Sequence, residues 1–153
     1  MAMNVVHGDL LKLALDGTFD VIVHGCNCQC TMGAGIAKAI KSTFPEAYDA
    51  DKRTTKADRS KMGTISFATV ERDAHEITVV NGYTQFHWRG SGVLADYDAI
   101  RAVMAAVKSQ FTGKRIGYPK IGAGLAKGDW DVIAHIIDEE LAGEDHTLVE
   151  YAA

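Results

Sequence analysis

The sequence predicts an α/β fold of three layers, with a mixed, mostly parallel central sheet between helices. Three observations carry that reading. Short runs rich in β-branched residues alternate with amphipathic stretches along the chain. Two glycine-rich turns each follow such a run and lead toward a helix. One pair of runs, residues 64–70 and 76–83, is joined by a short polar turn and reads as a hairpin, the antiparallel part of the sheet.

Taken in order, residues 3–7 form a first short strand, and Gly8-Asp9-Leu10-Leu11 turns it away. Asp9 suits such a turn because its carboxylate bonds nearby backbone N–H groups. Residues 19–23, Phe-Asp-Val-Ile-Val, read as a buried strand. Ile36, Ile40 and Phe44 follow at intervals of four and mark one face of a helix, which Pro45 stops. Residues 49–61 are charged and nearly free of large apolar side chains, so they read as a solvated connection. The hairpin strands come next and run into a loop at residues 84–92. Ile100, Val103, Met104, Val107 and Phe111 line a long amphipathic helix, with Met104 in the core and Gly113 closing the helix. Residues 115–119 are a strand, parallel to its neighbour if the helix before it is a crossover. Trp130, Ile133, Ile137 and Leu141 stripe a second amphipathic helix capped by Asp129, and residues 147–151 are the last strand.

A chain of 153 residues with 47% hydrophobic content and a formal charge of −4 reads as one soluble domain spanning 1–153. No apolar run approaches the ~20 residues of a membrane helix, and residues 1–30 lack a signal-peptide pattern. A cytoplasmic protein without a membrane partner is expected. The mild negative charge argues against a broad nucleic-acid surface. Cys26, Cys28 and Cys30 are odd in number and tightly spaced, which suits reduced thiols and no disulfide framework. A zinc site with His24 or His7 would want Cys pairs two to four residues apart, and no second pair exists, so no metal is expected.

The chemistry concentrates around residues 24–37. A strand, a turn holding Gly33 and Gly35, and a helix N-terminus make an anion site, where backbone N–H groups converge and the helix dipole favours negative charge. The turn is not a Walker A loop, since no Gly-Lys-Ser/Thr follows, nor a Rossmann loop, since the third glycine is missing. Two readings stand for it, a phosphate cradle or a turn that merely redirects the chain. Asn27 carries an amide able to grip a hydroxyl. In the 84–92 loop, Phe86 and Trp88 either anchor the loop to the core or line a ligand. His87 is a candidate acid or base and Arg89 a candidate phosphate partner.

The segments Met32-Gly33-Ala34-Gly35-Ile36-Ala37 with Asn27, Gly8-Asp9-Leu10, and Pro119-Lys120-Ile121-Gly122-Ala123-Gly124-Leu125 occur in one order that resembles the macrodomain family. The resemblance covers nearly the whole chain. It is nearest the branch of ADP-ribose-1''-phosphate phosphatases and terminal ADP-ribose glycohydrolases, and it implies a macrodomain fold. It further implies that Asp9 receives adenine and Asn27 the distal ribose, with Leu10, Met32 and Ile121 also in contact with ligand. The diphosphate would lie between two loops, Gly33, Ala34, Gly35 and Ile36 on one side and Gly122, Ala123, Gly124 and Leu125 on the other. No basic side chain and no cofactor is needed in that arrangement. The Lys and Asp of the glycohydrolase branch are matched here by Gln85 and Ala126. The expected function is therefore binding of ADP-ribose and removal of the terminal phosphate of ADP-ribose-1''-phosphate, with Asn27 orienting the sugar and His87 moving the proton. Two rivals are a non-catalytic reader of ADP-ribose and a hydrolase acting on ADP-ribosylated protein or nucleotide without the Lys/Asp pair.

Overall fold

The computed structural model describes residues 3–152. In chain order the elements are β1 (Asn4–Gly8), α1 (Leu10–Leu15), β2 (Val21–Cys26), α2 (Gly35–Thr43), α3 (Pro45–Lys52), a 3-10 turn (Arg59–Lys61), β3 (Ile65–Arg72), β4 (His75–Tyr83), α4 (Tyr97–Phe111), β5 (Arg115–Tyr118), α5 (Trp130–Glu140) and β6 (Asp145–Tyr151). The strands form one sheet in the order β1-β6-β5-β2-β4-β3. Every pairing is parallel except β3 with β4, the expected hairpin. Among the described residues, no helix is long and apolar enough to cross a membrane.

Alternation along the strands builds the three layers. Val21 and Val23 of β2, Val80 of β4 and Leu148 of β6 pack with Ile100, Val103, Met104 and Val107 of α4 and Ile133 and Ile137 of α5. Ile22, Ile77, Val79 and Val149, one position out of step, pack on the other face with α1, α2 and α3 through Leu10, Leu11, Ala14, Ile40 and Ala47. A period of two thus sends neighbouring side chains to opposite cores. Asp129 caps α5 by accepting from the Asp131 N–H, as expected.

Three expectations are corrected. Residues 10–15 form a helix where a turn was expected. Asp9 caps it, with Oδ1 accepting from Leu11 N–H at 2.9 Å and Lys12 N–H at 3.3 Å. Six residues are too few for helical periodicity to show in sequence. Pro45 ends α2 but also opens α3, because proline at the first helical turn lacks only an N–H that would have no partner there. Residues 49–61 are not a solvated connection throughout. Asp51 is 0% exposed and Lys61 6%. Tyr83 Oη donates to Asp51 Oδ1 at 2.7 Å, and Lys61 Nζ donates to the Cys28 carbonyl at 3.3 Å while lying 4.5 Å from the Tyr83 ring centroid. Charged groups are buried where such partners wait for them, and composition does not show where partners lie.

A buried polar node ties the layers together. His24 of β2 and Asn81 of β4 are opposite each other in register, with Nε2 to Oδ1 at 2.7 Å. Asn81 Nδ2 donates to the Ala47 carbonyl at 2.9 Å and to Ser66 Oγ at 3.1 Å. That orientation turns Oδ1 toward the imidazole, so Nε2 carries the proton and donates. Burial lowers the His24 pKa from 6.5 to about 4, against the opposing hydrogen bond to Asn81. The folded chain thus refuses a proton that the unfolded chain accepts below about pH 6.5. The stability from this group is full above that pH and declines as pH falls toward 4, by about 3 kcal/mol in all. We expect the His24 ring resonances to stay those of neutral imidazole down to about pH 5 in an NMR titration; a midpoint near 6.5 contradicts the burial argument.

Candidate functional site

The parallel strands β2, β5, β6 and β1 end along one edge, the edge where open α/β sheets receive ligands. A cavity of about 750 Å³ lies there between the loops that follow β2 and β5. A second lobe of about 700 Å³ lies beyond the ends of β6 and β1. Gly35, Ile36, Pro119 and Lys120 line both, so the two lobes share one wall.

The loop from β2 to α2 forms one side. Ala34, the N-cap of α2, is extended at φ −147° and has no side-chain oxygen to cap the helix. The first-turn N–H groups of α2 are therefore left for a ligand. Gly35 sits at φ +58°, where a side chain is strained, and a Cβ there would lie 3.7 Å from Leu125 Cδ1. The two glycine loops thus approach each other across the cavity. Leu125 is 71% exposed.

The loop after β5 is the more closely packed side. Gly122 has φ +75°, and a Cβ on it would meet Ala95, Ile100 and Ile133 at 3.2 Å each. Its carbonyl accepts from Gly128 N–H at 2.6 Å, closing the loop at its base. The Ala126 carbonyl accepts from Leu94 N–H at 2.8 Å, joining this loop to the one before α4.

Most of the residues expected at a site come together. Asn27, Gly33, Ala34, Gly35, Ile36, Ile121, Gly122, Gly124 and Leu125 line the first lobe, and Asp9 and Leu10 line the second. Asp9 keeps both uses weighed for it, since only Oδ1 serves the α1 cap. Asn27 organises its own loop: Oδ1 accepts from Gln29 N–H at 2.8 Å and Nδ2 donates to Thr31 Oγ1 at 2.9 Å. Met32 and Ala123 do not line the cavity. Met32 is 2% exposed and packs with Cys26, Cys28 and Tyr83 beneath the loop, while Ala123 packs on the α4–α5 core. His87 and Arg89 are not brought to the cavity wall either; Trp88 is. The His87 ring stacks on Trp88 at 4.0 Å and its Nδ1 accepts from Arg89 N–H at 3.0 Å.

Among the lining residues not expected from sequence, three at strand ends bear on ligand chemistry. Lys120 borders both lobes, and Glu150 and Tyr151 border the second. The expectation of a site without one basic side chain is thereby corrected, because Lys120 lies two residues past the end of β5 on the ligand edge. The signal was available: each of the three lies at the end of a strand recognisable in sequence, where ligands sit.

The cysteines are free thiols. Cys26 lines the first lobe, but burial, and then the Asp51 carboxylate, pushes its thiol well above the ordinary range. His24, 3.5 Å from its sulfur through Nε2, is neutral for the reason given above. The pair is not an activated nucleophile. Among the described residues, no group of three His, Cys, Asp or Glu is placed to hold a metal.

The sheet order, the two glycine loops and the cleft define the Macro domain, and the model of that family matches residues 23–137; the chain belongs to it. Its relatives include a 17.5 kDa protein of the tk-vs intergenic region of Enterobacteria phage T4, 34% identical over 99% of this chain and 97% of the relative. The ADP-ribose glycohydrolase OARD1 of Bos taurus is 26% identical over 97% of this chain and 90% of its own length. An ADP-ribose 1''-phosphate phosphatase of Neosartorya fischeri is 46% identical over a shorter stretch, 28% of this chain and 20% of that protein. Among solved structures, Thermosipho africanus DarTG in complex with ADP-ribose superposes with a TM-score of 0.72 at 18% identity, covering 97% of this chain and 41% of that one. The macrodomain of Mycobacterium tuberculosis DarG does so with a TM-score of 0.68 at 23% identity, covering 99% of each chain.

The two loops should respond differently to an added methyl group. Gly122→Ala meets both the positive φ and three close apolar contacts, and should cost about 2 kcal/mol. Among the described residues, no atom lies within 4 Å of a Cβ added at Gly33, so Gly33→Ala should stay within about 0.5 kcal/mol of wild type. Urea unfolding of both variants checks this; equal losses would contradict the description of the loops.

Proposed function

We propose that this protein binds ADP-ribose and removes the terminal phosphate of ADP-ribose-1''-phosphate. The observation that carries the reading is the bilobed cleft, in which two glycine loops face each other and join a lobe containing Asp9. A diphosphate fits the shared wall, where the open N-terminus of α2 supplies backbone donors and favours negative charge. Adenine then lies toward Asp9 and the distal ribose toward Asn27. The names of the bovine and fungal relatives support the same ligand class.

The choice of phosphate removal rests on what lines the first lobe. Gln85 and Ala126 stand at the positions of the glycohydrolase Lys and Asp, and neither transfers a proton at neutral pH. In phosphate removal, water attacks phosphorus, the bond from phosphorus to the C1'' oxygen breaks, and that oxygen takes a proton. Backbone donors of the β2–α2 loop stabilise the charge that builds on the phosphoryl oxygens. Asn27 orients the sugar. His87, one residue from Trp88, moves the proton once its ring leaves the stack on Trp88; catalytic contacts are often absent before substrate binds. A cytoplasmic location suits such a nucleotide ligand.

A second reading has its own support. Lys120 and the neutral thiol Cys26 are the ionisable side chains on the wall of the first lobe. Such a wall suits a non-catalytic reader of ADP-ribose.

ADP-ribose at about 100 times its Kd should raise stability by about 2.7 kcal/mol, seen as a higher melting temperature, and AMP should do less. Gly33→Leu should stay folded and lose the shift, because the new side chain enters the cleft. Purified protein should release phosphate from ADP-ribose-1''-phosphate, and His87→Ala should slow this about a hundredfold with ADP-ribose affinity retained. Tight binding with no release establishes the reader; no binding at all defeats both readings.

A further inference from the structure

We infer that Glu150 reads the hydroxyls of the adenine-side ribose and makes the cleft selective against ligands phosphorylated on that ribose. The inference rests on the ligand direction given under the proposed function.

The sheet order sets the position. Along the ligand edge the strand ends run β2, β5, β6, β1. A ligand with its diphosphate at the loops after β2 and β5, and its adenine at Asp9 after β1, must place the intervening ribose at the end of β6. Glu150 is there, on the wall of the second lobe.

The carboxylate is held in place from both sides. Lys120 Nζ lies 3.1 Å from Oε1, and His7 Nε2 lies 2.9 Å from Oε2. His7 is the direct cross-strand neighbour of Glu150. The Lys120 ammonium, first, and then its wider field hold the Glu150 carboxyl below the usual carboxylate range, so it is an anion at neutral pH. Each carboxylate oxygen has a further lone pair, and a vicinal diol can donate to them. An acidic side chain at a ribose accepts the 2'-hydroxyl and repels a 2'-phosphate, whereas a free cation there does the reverse. Lys120 does not favour the phosphate in this chain because its charge is engaged by Glu150.

Calorimetric titration with ADP-ribose and with ADP-ribose 2'-phosphate tests this. The wild type should prefer ADP-ribose by about tenfold or more, the range for losing a hydrogen bond to a charged group. In Glu150→Gln the preference should vanish or invert, because the negative charge is gone and Lys120 is released. Lys120→Met should weaken both ligands and keep the preference. The ligand-free melting temperatures of both variants should match wild type, since both side chains lie at the surface. A wild-type chain that binds the two ligands equally, or a Glu150→Gln chain that keeps the wild-type ratio, overturns the inference and leaves the proposed function standing. A wild-type chain that binds neither ligand overturns both.

Discussion

The ligand edge depends on how the peptide of Cys28 is held. Its N–H donates to the Phe86 carbonyl at 3.0 Å, and its carbonyl accepts from Ala57 N–H at 2.7 Å and from Lys61 Nζ at 3.3 Å. The segment between β2 and α2 has no regular structure of its own, yet it must hold Asn27 and the glycine turn in a fixed relation to the sheet. Buried backbone groups need partners, and here the three partners come from two separate parts of the chain, residues 57–61 and the loop at Phe86. Gln29 adds a fourth tie by donating from Nε2 to the Phe86 carbonyl at 3.0 Å.

That arrangement accounts for charges under an otherwise apolar layer. Lys61 is buried because its ammonium has the Cys28 carbonyl and the face of Tyr83 to meet. Asp51 is buried because Tyr83 donates to it, although burial still pushes its carboxyl up and its Oδ2 has no partner among the described residues. Removing one member of such a set leaves the others unsatisfied in a low-dielectric setting, so the set behaves as a unit. The polar layer sits directly beneath the loop that carries Asn27. That loop is held by hydrogen bonds, while the opposite wall, around Gly122, is held by close apolar packing.

The two walls suit a ligand rich in phosphate for the same reason. Both offer backbone where a Cβ would intrude or strain, and peptide N–H groups recognise an anion without a matching basic residue. The chain's net negative charge is then no obstacle, because the attraction is local. Lys120 is the exception on the wall, and its pairing with Glu150 keeps its charge from dominating the cleft.

The sequence by itself determined the fold class, the hairpin and the two glycine loops. Alternation at a period of two and stripes at three and four are properties of local geometry, so they survive in a one-dimensional record. Its resemblance to the macrodomain family also brought forward Asp9, Asn27 and Gly122, which the structure places on one cleft. Only the tertiary structure decided which side chains reach that cleft. Trp88 lies on the wall while His87 stacks behind it, and Met32 packs beneath the loop it belongs to. It alone showed that Asp51 and Lys61 are buried, and that His7, Lys120 and Glu150 form one polar cluster. His7 and Lys120 lie 143 and 30 positions from Glu150 in the chain and meet it only through the sheet order β5-β6-β1, which joins strands remote in sequence. Side-chain burial and charge pairing depend on what lies across space, and no local pattern carries that information.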